Sequence, residues 1–198
     1  MPFEFNIYSS LLLPAFIQGI LFSFLLFSRG YREERLSDTL LGWLLLLNAV
    51  KIAYWMLGFA GWYDTHDGFT SFMFYFPFNN VTWMGPLLYF YFLSLVNPGF
   101  RFEKKHWPHF ILPGLWHLFF ITRFTIDFLI YTPFPVEENT QFGTKGPLAD
   151  LEKNTWGDGV SLFSFFFYLL LTLRALCIYQ FYIRQQFSFA EAIRLDWL

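Results

Sequence analysis

Apolar positions along this chain come in long unbroken runs separated by short polar segments, with no strict alternation of apolar and polar residues. Five runs approach the length of roughly 20 residues that carries a helix across a bilayer. They cover 9–28 ("SSLLLPAFIQGILFSFLLFS"), 39–59 ("TLLGWLLLLNAVKIAYWMLGF"), 75–96 ("YFPFNNVTWMGPLLYFYFLSLV"), 107–124 and 160–183 ("VSLFSFFFYLLLTLRALCIYQFYI"). Continuous runs favour helices over barrel strands, because a barrel strand alternates, and a helix satisfies its own backbone N–H and C=O groups in lipid. The pattern predicts an all-α integral membrane bundle of about five transmembrane helices. Pro14, Pro77, Pro86 and Pro113 fall inside the runs and are expected to kink the helices without ending them. A long polar stretch, 131–159, separates the last two runs and carries no strong periodicity.

The polar connections sort by charge. Arg29, Arg32 and Arg35 follow the first run, Arg101, Lys104 and Lys105 follow the third, and Arg184 and Arg194 follow the fifth. The alternate connections are poor in bases: "AGWYDTHDGFT" has none, and 131–159 has only Lys145 and Lys153. By the positive-inside rule the basic segments are cytoplasmic, which puts the N-terminus outside and the C-terminus inside. Trp62, Trp107 and Trp156 sit at run edges, where interface aromatics are expected. The stretch "GPLLYFYFLSLVNPGFRFEKKHWPHFILP", Gly85 to Pro113, then reads as a helical hairpin turning on the cytoplasmic side. Asn97, Pro98 and Gly99 end one helix, and Trp107 with Pro108 begins the next.

Composition agrees with lipid as the solvent. The chain is 56% hydrophobic and 25% aromatic, with 14% charged residues against about 25% in soluble domains. A net charge of −2 offers no basic field to nucleic acid. A single cysteine, Cys177, excludes an internal disulfide and reads as a small apolar residue. "MPFEFNIYSS" has Glu4 and no base before the first run, unlike a secretory signal, and no lipidation motif is present. No phosphate-binding loop, HExxH, GxSxG or Cys–His cluster occurs, so nothing argues for an enzyme, a metal or a cofactor. Asp64, His66 and Asp67 in "YDTHDG" are a weak metal signal in a loop. His106 and His109, three apart, read as interfacial residues.

The polar residues inside the runs are the candidate chemistry. Lys51 lies roughly 18 Å along its helix from the inner end, with Asn48 and Trp55 on the same face. A mid-membrane lysine is costly unless paired or hydrated, so it either marks a functional site or snorkels. Asn48, Lys51, Asn80, His117 and Arg123 together suggest a polar, outward-open cavity suited to an anionic or hydrogen-bonding ligand. Arg123 and Asp127, four apart, are placed to pair. Interhelical hydrogen bonding is the plainer reading, especially for the asparagines.

The Gly85–Pro113 stretch resembles a segment of the membrane-embedded N-terminal sensor domains of bacterial regulators that carry an AraC-type helix-turn-helix. There a "GPLLYFY" run enters a short basic loop, and a "HF–apolar–apolar–P" start opens the next helix. "LLLPAFIQGILFSFLLFSRGYREERLSDTLLGWLLLL" and "FSFAEAIRLDWL" are similar to that family's opening and to its approach to a later helix. Comparable membrane domains also occur on histidine kinases. The resemblance covers most of the chain and is weakest over 131–159. It implies a multi-pass sensor and anchor in the bacterial inner membrane, passing an external or membrane-borne cue to a cytoplasmic output. The implied partners are the bilayer, that cue, a second copy of the chain, and DNA through an output domain only. No helix-turn-helix lies within the 198 residues, so the chain reads as a truncated sensor region. A small carrier, with Lys51 in a translocation site, and a membrane scaffold are the rival classes; a carrier would be expected to show an internal repeat, and none is visible.

Overall fold

The computed structural model describes residues 4–62, 81–97, 99–130, 148 and 157–186. Among these the regular elements are helical and no strand occurs. They are α1 (Ile7–Arg32), α2 (Leu36–Phe59), α3 (Val81–Val96), a 3-10 segment (Lys104–Phe110), α4 (Ile111–Thr125), a π turn (Ile126–Ile130) and α5 (Gly157–Gln186). Three helices, Ile7–Arg32, Leu36–Phe59 and Gly159–Gln185, are long and apolar enough to cross a membrane. Val81–Val96 is apolar but shorter, and the start of its run, 75–80, lies outside the described residues, as do 131–147 and 149–156 of the polar stretch. The helix runs on through Pro14 in α1 and through Pro86 in α3. Pro113 occupies the first turn of α4, where a missing N–H costs nothing.

α1 and α2 form an antiparallel pair held at both ends. At the end where α1 begins, Asn6 caps it, accepting from the N–H groups of Tyr8 and Ser9 at 2.9 and 3.0 Å. Its amide also donates to the carbonyl of Phe59 at the far end of α2. At the other end the Arg29 guanidinium grips Asp38 with two bonds, Nε to Oδ2 at 2.6 Å and Nη2 to Oδ1 at 2.7 Å. Such a fork fixes geometry as well as charge. Along the seam small residues let the backbones approach. A Cβ on Gly19 would meet the Cβ of Ala49 at 2.9 Å, and one on Gly42 would meet the Phe27 ring at 2.9 Å.

α2 packs against α3, and α3 against α5, with α4 lying lightly on α3. Leu40 and Leu44 of α2 meet Leu87 and Phe90 of α3 in the apolar core. The outward faces are apolar too. Leu11, Leu21, Phe24 and Leu25 on α1 and Phe163, Phe166, Leu170 and Phe181 on α5 are exposed. A surface of that kind suits lipid and would be a large liability in water. Among the described residues the chain is thus that of a helical membrane protein.

Candidate functional site

The basic turn after α3 is tied down by aromatic rings. Phe90 has no exposed surface. Around it stand Phe110 at 5.5 Å, Phe100 at 6.0 Å, Phe102 at 5.0 Å, and His106 and His109 each at 5.3 Å between ring centroids. The first two rings stack on it and both histidines present their edges. This box brings the chain back from the turn along α3, so the 3-10 segment descends beside the helix it has just left. Glu103 opens that segment: its backbone N–H donates to His106 Nδ1 at 3.1 Å, and its carboxylate meets Lys105 at 2.8 Å. The Lys105 ammonium holds the Glu103 carboxyl below the ordinary carboxylate range.

His109 joins this turn to α5. The Tyr168 hydroxyl donates to the His109 carbonyl at 3.1 Å, and the same oxygen lies 3.0 Å from His109 Nδ1. A hydroxyl has one proton, so both contacts are satisfied when Nδ1 carries its own proton and donates to Tyr168. Tyr168 is only 7% exposed and also packs on Tyr89 of α3 at 6.2 Å between ring centroids. Three elements therefore converge on one phenol. Further out, Trp83 Nε1 of α3 donates to His117 Nδ1 of α4 at 2.8 Å. An indole N–H only donates, so His117 is the acceptor and keeps its proton on Nε2.

Beyond Tyr168 the α3–α5 seam changes character. A Cβ on Gly85 would lie 2.9 Å from the Tyr168 ring. On the same faces, Thr82 is 0%, Ser164 2% and Ser161 4% exposed. Their three hydroxyls have no hydrogen-bond partner among the described residues. Elsewhere helical hydroxyls fold back on their own helix: Ser23 onto Gly19, Ser94 onto Tyr91, Thr122 onto Leu118, Thr125 onto Ile121 and Thr172 onto Tyr168. Leaving a buried hydroxyl unmatched costs about 1–3 kcal/mol.

The residues expected to line an outward-open cavity are not brought together by any described contact. Asn48 is exposed and its amide folds onto the carbonyl of Leu44 on its own helix at 3.2 Å, which meets its need for a partner locally. Lys51 is half-buried on α2. His117 is engaged with Trp83 on α3. Arg123 is buried, with its guanidinium 5.4 Å from the Phe119 ring and 5.2 Å from the Phe120 ring. Asp127 is buried too and accepts from the backbone N–H of Leu148 at 3.2 Å. Asn80 lies outside the described residues, as do Asp64, His66 and Asp67.

The basic residues read from the sequence divide in use. Arg29 is committed to Asp38, Arg35 pairs with Glu33 at 3.0 Å, and Lys105 with Glu103. Arg32, Arg101, Lys104 and Trp107 are exposed. The exposed pairs contribute little to stability, since water screens them. Among the described residues no cluster of three metal-ligating side chains occurs. The Tyr168–His109 link was missed from sequence because 59 residues separate its partners. The signal that would have found the seam is the small-residue spacing of Thr82, Gly85, Ser161 and Ser164. Compared with known protein families, curated proteins and solved structures, the chain matches none.

Proposed function

We propose that this chain is the sensory and anchoring membrane domain of a signal-transducing regulator of the bacterial inner membrane. In this reading it has five spans, an outer N-terminus and a cytoplasmic C-terminus, and it serves an AraC-type DNA-binding output. A cue at the outer or membrane-buried side favours one packing of α3 against α5. It must bind the two packings with different affinity, since equal affinity shifts nothing. The observation that supports the reading is the double contact between His109 and Tyr168. It connects the turn holding Arg101, Lys104 and Lys105 to the helix from which the C-terminal residues emerge. A shift of α5 along α3 is felt in that turn, and the reverse.

A chimera tests this. A DNA-binding domain active only as a dimer is joined after Gln186, and reporter transcription is read in cells. Tyr168→Phe removes one hydroxyl and leaves the ring. A hydrogen bond of ordinary net strength, about 0.5–1.5 kcal/mol, corresponds to a change in output of about two- to tenfold at equal membrane levels. Output that ignores both Tyr168→Phe and His109→Leu contradicts coupling through this contact. Solute flux through liposomes carrying the chain alone would make it a carrier instead.

A further inference from the structure

The outer half of the α3–α5 seam is built from polar groups that have no hydrogen-bond partner among the described residues. Thr82 shares a face of α3 with Gly85, three residues on, and Ser161 and Ser164 share a face of α5 with Tyr168, seven and four residues on. Gly85 and Tyr168 touch, so these faces are the ones in apposition. All three hydroxyls are shut in and without a partner among the described residues, although Ser161 and Ser164 lie within α5, where a hydroxyl can turn back to a carbonyl one turn earlier, as Ser23 and Thr172 do here. Pro86 deepens the deficit. It has no N–H, so the carbonyl of Thr82, four residues earlier, loses its helical partner. The seam thus offers one backbone acceptor and three hydroxyls that both donate and accept. Among the described residues Thr82, Gly85, Ser161 and Ser164, which form it, none is charged.

We propose that this seam is a binding site for a small uncharged molecule carrying both a hydrogen-bond donor and an acceptor, admitted when α3 and α5 part at their outer ends. The chemistry is that of water, an alcohol or an amide. The unmatched hydroxyls raise the free energy of the closed packing, and the guest restores their bonds in the open one. Tyr168, already bonded to His109, is the fixed end about which the seam opens. The site stands without the signalling reading, since it requires no output domain.

Two measurements test it. In a Cys177→Ser background, Ser164→Cys and Ser161→Cys are reacted in vesicles with hydroxyethyl methanethiosulfonate, a neutral alcohol. Phe163→Cys, next in sequence to Ser164 but facing out, is the lipid-facing reference. A thiol reacts as thiolate, which lipid suppresses and a hydrated seam supports. The seam positions are expected to react at least about tenfold faster. Equal rates at Ser164→Cys, Ser161→Cys and Phe163→Cys overturn the proposal. Separately, the triple variant Thr82→Val, Ser161→Ala, Ser164→Ala removes the unmatched hydroxyls at nearly constant shape. It is expected to raise Tm in detergent by at least about 2 °C. A lower Tm means the hydroxyls are bonded within the protein, and the site does not exist. Neither readout involves transcription, so loss of the signalling reading leaves both outcomes intact.

Discussion

Phe90→Ala is expected to destabilise the domain by about 3–5 kcal/mol, the range for emptying a fully buried aromatic site. The ring has no exposed surface and is the common neighbour of Phe100, Phe102, His106, His109 and Phe110. Each of those pairs adds a little beyond its buried area, and all are lost together. The consequence is local before it is global. Phe100 and Phe102 belong to the turn itself, so without Phe90 the turn loses the ring its aromatics share, and Trp83 against Phe110 and Tyr89 against His109 remain to hold the segment to α3. Denaturation in detergent micelles measures the stability change. Trypsin added to the protein in detergent measures the turn, through cleavage at Arg101, Lys104 and Lys105, and is expected to cut the variant first there. Phe90→Leu keeps part of the packing and is expected to lose less. A Phe90→Ala protein within about 0.5 kcal/mol of the parent, a surface-like effect, would mean the ring box does not organise the hairpin.

Gly85→Leu has the second large effect, and its sign is set by geometry alone. A Cβ at Gly85 sits 2.9 Å from Cδ2 and 3.1 Å from Cβ of Tyr168. The latter atom is fixed to the α5 backbone, so no rotamer change relieves the clash. Gly85→Ala is expected to cost about 1–3 kcal/mol as overpacking. Gly85→Leu adds three more carbons, forces α3 from α5, and separates Tyr168 from His109. Gly114 on α4 is the control, since a Cβ there meets nothing within 4 Å. Gly114→Ala gains helix propensity and is expected to be neutral or to stabilise by up to about 1 kcal/mol. The same substitution in two apolar helices thus carries opposite signs. Melting of the purified variants in detergent reads both. Equal, near-zero changes at Gly85 and Gly114 would show that α3 and α5 do not pack through this glycine.

What the sequence made legible was what period and composition control. Long apolar runs became helices because a buried backbone must bond to itself, and α1 and α2 cover the 9–28 and 39–59 runs. The break between α3 and the next helix was readable in Asn97, Pro98 and Gly99, which cannot continue a helix cheaply. Pairings were not legible. Arg29 read as one of three loop bases, yet Asp38, nine residues on, takes its guanidinium across the turn. Nothing in either residue's own helix announces that. Asn48 read as a cavity residue because it shares a face with Lys51. Its amide donates to the carbonyl of Leu44, a contact made by local geometry that a helical wheel does not contain. His117 read as a lining residue of a polar cavity, and its bond from Trp83, 34 residues earlier, is a pairing that sequence spacing does not contain. The seam hydroxyls were passed over because serine and threonine in apolar helices ordinarily bond their own backbone. That these three do not is visible only in three dimensions.

Coupling through His109 and Tyr168 presumes that the turn between α3 and α4 faces the cytoplasm, where an output domain would sit. Paired reporter fusions after Lys104 measure that directly. A fluorescent reporter that folds only in the cytoplasm is expected to light there, and alkaline phosphatase, active only outside, is expected to stay silent. Active phosphatase and no fluorescence at Lys104 would put the basic turn on the outer face and contradict the proposed path from cue to output.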